Sequence, residues 1–302
     1  LRKLARMDLD LLVVAVTGMA GLLPTLDALE GDTSVALASK EAMVVGGSLV
    51  KDVEGRSRGQ VLPLDSEHHA VYQLLRGETP DAIRNVYLTA SGGPFRNRAR
   101  EDLEDITPEE ALDHPNWDMG AKITVDSATM MNKGLELIEA KHFFDLDHDQ
   151  LKAVIHPQSR VHALVEFVDA SLKAQMSEPD MRHSIQSVLL QGNRRAGPVE
   201  SLDLSDGLDL QFEPVDPQRY PAYNLAREAL KLGGTAPTVL NAANSEAVRS
   251  FLSGDLAFLN IPHVVEDCLS GKDFDQEVTL DRILEVDERT RQEARRAVQE
   301  LP

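Results

Sequence analysis

Residues 113–139, DHPNWDMGAKITVDSATMMNKGLELIE, combine a His, the only Trp of the chain, several hydroxyl groups, a Lys and a Glu in one short stretch. Hydroxyl and amide donors beside a Lys are the groups that hold a small anion. The segment therefore predicts a site for a small phosphorylated substrate. A second segment, LPLDSEHHA at residues 62–70, supplies the carboxylates Asp65 and Glu67. Carboxylate oxygens are hard ligands that suit Mg²⁺ or Mn²⁺.

By residue type alone, these features also have ordinary structural explanations. A D-x-E sequence in a polar loop is usually a solvated turn, and a helical Glu such as Glu136 is usually exposed. A lone Trp in a loop usually anchors packing. We predict that Ser127 caps the start of the helix that carries Glu136, where free N–H groups favour anions. Capping and anion binding are compatible, so the two interpretations do not exclude each other.

Composition limits the classes of partner. The 302 residues carry a net charge of −19, which disfavours binding to nucleic acid or to an anionic membrane. An anionic substrate must then be held by a local cluster of donors. No apolar run approaches the ~20 residues that a membrane span needs. Cys268 is the only cysteine, so no internal disulfide can form, which predicts a reducing cytoplasm.

The periodicity of the chain predicts an α/β fold. The apolar run LLVVAV at residues 11–16 is typical of a strand buried on both faces, and a helix closed by Gly31 follows. A second strand at residues 35–38 and another helix complete a βαβ unit, which resembles the last part of a Rossmann-like nucleotide-binding domain. Ile123 to Val125 is predicted to be a strand, and the chain after Pro221 is predicted to be helical.

The predicted domain organisation has four parts. Residues 1–56 form the end of the nucleotide-binding domain, residues 57–191 an α+β catalytic domain, residues 192–219 a linker, and residues 220–302 a helical bundle. The chain begins at Leu1 and contains no G-x-G-x-x-G sequence. Since that loop follows the first strand of such domains, we expect the first half of the nucleotide-binding domain to be missing.

Seven segments together resemble one family, 1-deoxy-D-xylulose 5-phosphate reductoisomerase. They are LASKEAM, LPLDSEHHA, LTASGGPFR, HPNWDMGAKITVDSATMMNKGLELIEA, VIHPQSRVHALVEF, EPDMRHSI and LNAANSEAV. The resemblance runs from about Leu11 to the C-terminus. It implies an NADPH domain, a catalytic domain with a flap loop, a C-terminal helical domain and a homodimer. It also implies conversion of 1-deoxy-D-xylulose 5-phosphate to 2-C-methyl-D-erythritol 4-phosphate with NADPH and a divalent metal (Mg²⁺, Mn²⁺ or Co²⁺).

The resemblance also implies a role for each matching residue. The metal ligands are Asp65, Glu67 and Glu136. The phosphate is held by Ser91, Ser127, Asn132 and Lys133. The residues that orient the substrate or act on it are Lys40, Ser66, Glu67, His68, His114 and Glu136, with His162 nearby, and Trp117 closes over the substrate. The cofactor contacts are Ser39, Lys40, Glu41, Gly120 and Met181, although Ser39 replaces an Asn that the family commonly has.

Two other functions are compatible with these residues. The first is a different metal-assisted NAD(P) dehydrogenase, which would not require a phosphate on its substrate. The second is a fragment that binds a phosphosugar and a metal without turnover, because its NADPH domain is incomplete. Whether the reaction requires a phosphate on the substrate distinguishes the first alternative from the reductoisomerase. Whether the chain turns substrate over distinguishes the second.

Overall fold

The computed structural model describes residues 1–114, 117, 119–205 and 207–301. The chain divides into two compact units, each of which is described by itself. Unit 1 comprises residues 1–43, 47–91 and 139–214, and unit 2 comprises residues 44–46, 92–138 and 215–301. Two helices contribute residues to both units. No helix within the described ranges is long and apolar enough to cross a membrane.

Unit 1 begins with a three-stranded parallel sheet in the order β1-β2-β3. Its strands and the helices around it are α1 (Arg2–Ala5), β1 (Leu11–Val14), α2 (Leu22–Glu30), β2 (Ser34–Leu37), α3 (Lys40–Glu54) and β3 (Val61–Pro63). Alternating parallel strands and helices confirm the predicted βαβ unit. The carboxyl ends of β2 and β3 lead directly into α3 and into the next helix, so polar residues at those ends lie at one edge of the sheet.

A second sheet of unit 1 has five strands in the order β7-β6-β4-β5-β8. Its strands are β4 (Ile83–Ala90), β5 (Leu151–Ile155), β6 (Val161–Phe167), β7 (Leu172–Met176) and β8 (Glu213–Pro214). Only the β4–β5 pair is parallel. Strands β6 and β7 form a hairpin that turns around Asp169 and Ala170, with Ala170 at φ +67°. Helices α4 (Ser66–Leu74) and α8 (Met181–Leu189) pack on each other, and α4 also packs on β6.

Unit 2 is mainly helical. Its elements are α5 (Pro108–Ala111), α6 (Ala121–Ala128), the first part of α7 (Met131–Phe144), α9 (Pro221–Leu232), α10 (Ala236–Leu252), α11 (Ile261–Leu269) and α12 (Leu280–Glu300). The prediction of a helical C-terminal region is confirmed. Most of α10 is buried by α9, α11 and α12, and its small side chains, such as Ala242 and Ala243, allow this close packing.

Two predictions about local structure are wrong. The strand at residues 11–16 is not buried on both faces, since Val13 is 48% exposed. Residues 123–125 lie inside α6, where Thr124, Val125 and Ala128 are buried at helical spacing. The predicted linker at residues 192–219 includes β8, which pairs with β5.

Helix α3 bends at Gly46, whose φ of −128° is not helical. Beside the bend, the ring of His142 lies so close to Gly47 that an added Cβ would be 2.2 Å from it. Burial lowers the pKa of His142 from 6.5 to about 4, and Lys141 and Lys51 add to the effect. His142 is therefore neutral at pH 7 in the folded chain.

This burial predicts a pH dependence of stability. Below pH 6.5 the unfolded chain binds a proton at His142 that the folded chain does not, so the free energy of unfolding should fall as the pH drops from about 6.5 to about 4. His142→Leu should remove up to about 3 kcal/mol of this fall. Denaturant unfolding at a series of pH values measures it, with the exposed His263→Leu as control. If the free energy of unfolding depends on pH in the same way for His142→Leu and the parent, the prediction is contradicted.

Candidate active site

Asp65 and Glu67 are brought together by the start of α4. Asp65 is the N-cap residue, and its Oδ1 accepts a hydrogen bond of 3.2 Å from the backbone N–H of Glu67. Ser66 donates a short hydrogen bond to Glu67 Oε2. The D-x-E sequence is thus a helix start rather than the solvated turn that residue type alone suggests. Two carboxylates at a helix N-terminus also gain from the helix dipole.

Lys40 is the first residue of α3 and is only 6% exposed, so it is not the solvated Lys that residue type alone would suggest. Its Nζ lies 3.1 Å from Asp65 Oδ2. Burial by itself would raise the pKa of Asp65, but the charge of Lys40 and a hydrogen bond from His68 hold that pKa well below its usual range. Asp65 is therefore ionised, which is the form that a hard cation binds.

His68 is completely buried beneath this helix start. Its Nδ1 lies 3.4 Å from Asp65 Oδ1 and 3.4 Å from Glu139 Oε2. Glu139 is itself only 1% exposed, and sequence reasoning missed it. The signal that could have found it is its position in α7, one helical turn after Glu136.

The predicted cofactor residues Ser39, Glu41 and Met181 lie at element ends in unit 1. Ser39 precedes α3, and its Oγ hydrogen-bonds to both the backbone N–H of Val16 (3.1 Å) and the backbone carbonyl of Val16. Met181 is the first residue of α8, and Glu41 is the second of α3. Ser39 therefore connects the segment after β1 to the turn after β2. Ser91, a predicted phosphate ligand, follows the last residue of β4.

In unit 2 the predicted flap residues His114 and Trp117 contact each other, and His114 also contacts Ser127. The backbone N–H of Trp117 donates to His114 Nδ1 over 3.0 Å, so Nδ1 is an acceptor and carries no proton. His114 Nε2, 3.2 Å from Ser127 Oγ, then carries the proton of the neutral ring and donates it. Burial lowers the pKa of His114, which favours this neutral form. Residues 115, 116 and 118 of the predicted flap lie outside the described residues, and Gly120 precedes α6 as its N-cap.

Three predicted ligands meet at the start of α7. Asn132 Nδ2 donates a hydrogen bond of 2.6 Å to Glu136 Oε1, and Lys133 Nζ forms an ion pair with Glu136 Oε2. The side chains of Lys133 and Glu136 are 3% and 1% exposed, so this is a buried pair. A cation and a carboxylate placed one turn apart can each also serve an anion or a metal.

Ser127 does not cap a helix, contrary to our prediction. It lies near the C-terminal end of α6, and α7 begins four residues later at Met131. The anion-binding argument from free N–H groups at a helix start therefore does not apply to Ser127. The Ser127 hydroxyl, which contacts His114, is the group that could bind a phosphate.

Helix α6 is held by a buried network that includes part of the LNAANSEAV segment. Asp126 accepts hydrogen bonds of 2.7 Å from Lys122 Nζ and of 2.7 Å from Asn244 Nδ2 in α10. Asp126 and Asn244 are 2% and 0% exposed. Since Ser127 follows Asp126, this network fixes the hydroxyl that faces His114. Sequence reasoning missed Asp126 and Asn244.

The network predicts that substitutions of two buried Asn residues of α10 have very different effects on the free energy of unfolding. Asn244→Leu should lower the free energy of unfolding by about 2–3 kcal/mol, because a buried hydrogen bond to a carboxylate is lost. Asn241→Leu is the matched control. Asn241 is 1% exposed, and its amide finds no hydrogen-bond partner within the described parts of the chain, so this change should be neutral or stabilising. Equal losses in denaturant unfolding would contradict the assignment.

His162, which the sequence placed near the site, is 6% exposed, and its Nε2 lies 3.0 Å from Ser177 Oγ. Within unit 1, the structure thus brings together Lys40, Asp65, Ser66, Glu67 and His68. Within unit 2, it brings together His114, Trp117 and Ser127, and separately Asn132, Lys133 and Glu136.

Comparison with known proteins identifies the family. Three sequence models match the chain: 1-deoxy-D-xylulose 5-phosphate reductoisomerase over residues 1–47, its C-terminal domain over residues 61–144, and DXP reductoisomerase C-terminal domain over residues 176–293. The reductoisomerase of Desulforamulus reducens is 47% identical over 286 residues, which is 95% of this chain and 74% of that protein. The Listeria welshimeri reductoisomerase is 49% identical over 94% of this chain and 75% of that protein. The chain belongs to the 1-deoxy-D-xylulose 5-phosphate reductoisomerase family.

Solved structures of reductoisomerases show the same fold. A DOX-P reductoisomerase in complex with NADPH, fosmidomycin and magnesium is 39% identical, with a TM-score of 0.92, over 99% of this chain and 78% of that one. The Zymomonas mobilis enzyme in complex with NADPH is 40% identical, with a TM-score of 0.93, over the same fractions of the two chains. The expected mixed α/β fold of the family is therefore confirmed.

Proposed function

We propose that this chain catalyses the NADPH- and divalent-metal-dependent rearrangement and reduction of 1-deoxy-D-xylulose 5-phosphate to 2-C-methyl-D-erythritol 4-phosphate, in the non-mevalonate isoprenoid precursor pathway. The observation that carries the proposal is the identity of 47% over 95% of the chain with a reductoisomerase. The complexes of related enzymes with NADPH and magnesium support both cofactors. Family membership favours this catalytic function over a fragment that binds without turnover.

We assign the metal to Asp65, Glu67 and Glu136. Three carboxylates suit a hard divalent cation, and Lys40 keeps Asp65 ionised. Glu136 lies one turn before Glu139 in α7, and Glu139 contacts His68, which in turn contacts Asp65. The bound metal supplies Lewis acidity, which polarises the substrate ketone and lowers the pKa of the neighbouring hydroxyl.

Ser91, Ser127, Asn132 and Lys133 are assigned to the substrate phosphate. Lys133 supplies the positive charge, and the hydroxyl and amide groups supply further donors. The ion pair of Lys133 with Glu136 holds the ammonium group in one orientation, and the Lys133 side chain is buried rather than flexible in solvent. Ser127 is oriented by its contact with His114 and by the network around Asp126.

We propose the remaining roles from the resemblance to the family, and the contacts of the side chains support them. Lys40 and Ser66 flank the carboxylates and donate to substrate oxygens, and His68 holds Asp65 in place. His114, as a neutral donor at Nε2, orients the substrate, and Trp117 covers it and excludes water. We assign the NADPH contacts to Ser39, Lys40, Glu41, Gly120 and Met181, with Met181 against the nicotinamide.

The predicted domain boundaries, a homodimer and a cytoplasmic location complete the proposal. The boundaries at residues 56, 191 and 219 rest on sequence pattern. The cytoplasmic location rests on the single, buried Cys268. The homodimer rests on the resemblance to the family, and sedimentation of the purified chain would test it.

A comparison of two substrates tests the proposal against the rival metal-assisted dehydrogenase. We expect NADPH oxidation with 1-deoxy-D-xylulose 5-phosphate and little or none with 1-deoxy-D-xylulose. In a dehydrogenase that does not require phosphate, substrate binding would not depend on Ser127, Asn132 and Lys133. Equal rates with the two substrates would therefore support the rival and overturn our assignment.

A further inference from the structure

A cleft in unit 1 has no role in the proposed reaction. It lies between the C-terminal end of α4, the outer turns of α8 and the loop that follows α8, and its volume is about 280 Å³. Three arginines line it, Arg76, Arg194 and Arg195, together with His183. The other lining residues are neutral, and none of those that the structure describes is an Asp or Glu.

This concentration of positive charge is unusual in a chain with 31 basic and 50 acidic residues. Several arginines elsewhere pair with carboxylates: Arg2 and Arg6 with Asp27, and Arg291 and Arg295 with Glu246. In contrast, Arg76 donates to the carbonyl of Gly192 at 3.1 Å. Arg194 donates to the amide oxygen of Gln73 at 3.4 Å.

None of the three cleft arginines pairs with a carboxylate within the described ranges of the chain. The positive field of the cleft reaches His183, whose pKa burial lowers and Arg194 lowers further. Asp180 opposes this effect, but its carboxylate is hydrogen-bonded to Arg182 at 3.0 Å. Uncompensated like charges repel one another, and a bound anion would relieve the repulsion.

We propose that this cleft is a second anion site, which binds a small molecule carrying a phosphate or pyrophosphate group. The planar guanidinium fork matches the oxygens of a phosphate. The existing hydrogen bonds of Arg76 and Arg194 orient both side chains while leaving other N–H groups of each fork for the ligand. A volume at the lower end of ligand pockets suits a small molecule.

The cleft is connected to the proposed active site through its two helices. Helix α4 carries Glu67 in its first turn and Gln73 in its last, and α8 begins with Met181 and carries Gln186 on the wall of the cleft. A ligand that bridges Arg76 and Arg194 therefore connects the segments that follow two helices whose first turns hold a proposed metal ligand and a proposed cofactor contact. The site itself stands independently of the proposed activity.

Titration of the whole chain with inorganic pyrophosphate tests the site. The titration calorimetry is done with a chelator, so that no free metal binds the probe, and with saturating NADPH and 1-deoxy-D-xylulose 5-phosphate, so that the catalytic phosphate sites are occupied. We expect binding that Arg194→Gln and Arg195→Gln each weaken by about 10- to 100-fold. Arg195 is the cleaner test, because its side chain makes no hydrogen bond within the described parts of the chain.

The matched control is Arg296→Gln, an exposed arginine of α12, which should leave pyrophosphate binding unchanged. Turnover without pyrophosphate should equal that of the parent in both cleft variants. The proposal is overturned if pyrophosphate shows no binding at concentrations up to about 10 mM, a weak dissociation constant for a small anion. It is also overturned if the cleft variants bind pyrophosphate like the parent. A third contradicting result is pyrophosphate binding that is seen only when substrate and NADPH are left out.

Discussion

Glu136→Gln is expected to lower turnover by at least about 100-fold while the fold is retained. Even residues outside the ligand set of a metal cost 10–100-fold when changed, and this substitution replaces a charged ligand with a neutral amide of the same shape. The metal concentration for half-maximal activity should rise as well. The buried position of Glu136, with Asn132 on one oxygen and Lys133 on the other, explains why a single side chain can affect both quantities.

Steady-state kinetics over a range of Mg²⁺ and Mn²⁺ concentrations measures the effect. Glu109→Gln, which removes an exposed carboxylate of α5, is the matched control and should change neither turnover nor metal dependence. Unfolding curves show whether the variant is folded. If a folded Glu136→Gln variant keeps both the turnover and the metal dependence of the parent, Glu136 is not a metal ligand.

Lys133→Ala should weaken substrate binding by about 10- to 150-fold. A charge-assisted bond to phosphate contributes roughly 1.5–3 kcal/mol, which corresponds to that range of affinity. The ion pair with Glu136 adds a second effect that the sequence did not predict. Removing the cation of a buried pair costs about 3–5 kcal/mol of stability, so the free energy of unfolding should fall too.

Binding measurements with two ligands separate the effect of Lys133→Ala on phosphate binding from its effect on stability. Binding of a phosphorylated substrate analogue should weaken by about 10- to 150-fold, whereas binding of the same compound without phosphate should not depend on Lys133. Lys231→Ala, an exposed lysine of α9, should affect neither binding nor stability. Equal losses of affinity for both compounds would indicate that Lys133 has only a structural role.

The sequence predicted the order of elements well, because periodicity and turn residues are local signals. The parallel strands β1 and β2 and the helical C-terminal region were found where the pattern placed them. Residues 123–125 were assigned wrongly because a run as short as Ile-Thr-Val fits a strand or a helix, and tertiary burial of one face of α6 decides between them.

The candidate site was predictable in residue type but not in its contacts. Motifs named Lys40, Asp65 and Glu136, yet the burial of Lys40 against Asp65 depends on how the ends of β2 and β3 are juxtaposed. Glu139 and Asn244 were missed because each acts through a partner distant in sequence, His68 and Asp126 respectively. A buried polar contact between distant residues leaves no periodic signal in a single sequence.

The most direct test is NADPH oxidation by the purified chain with 1-deoxy-D-xylulose 5-phosphate, with and without Mg²⁺ or Mn²⁺. We predict that one NADPH is oxidised for each 2-C-methyl-D-erythritol 4-phosphate formed, that a chelator stops the reaction, and that added metal restores it. Turnover that persists undiminished after the metal has been removed, or NADPH oxidation without this product, would contradict the proposed function.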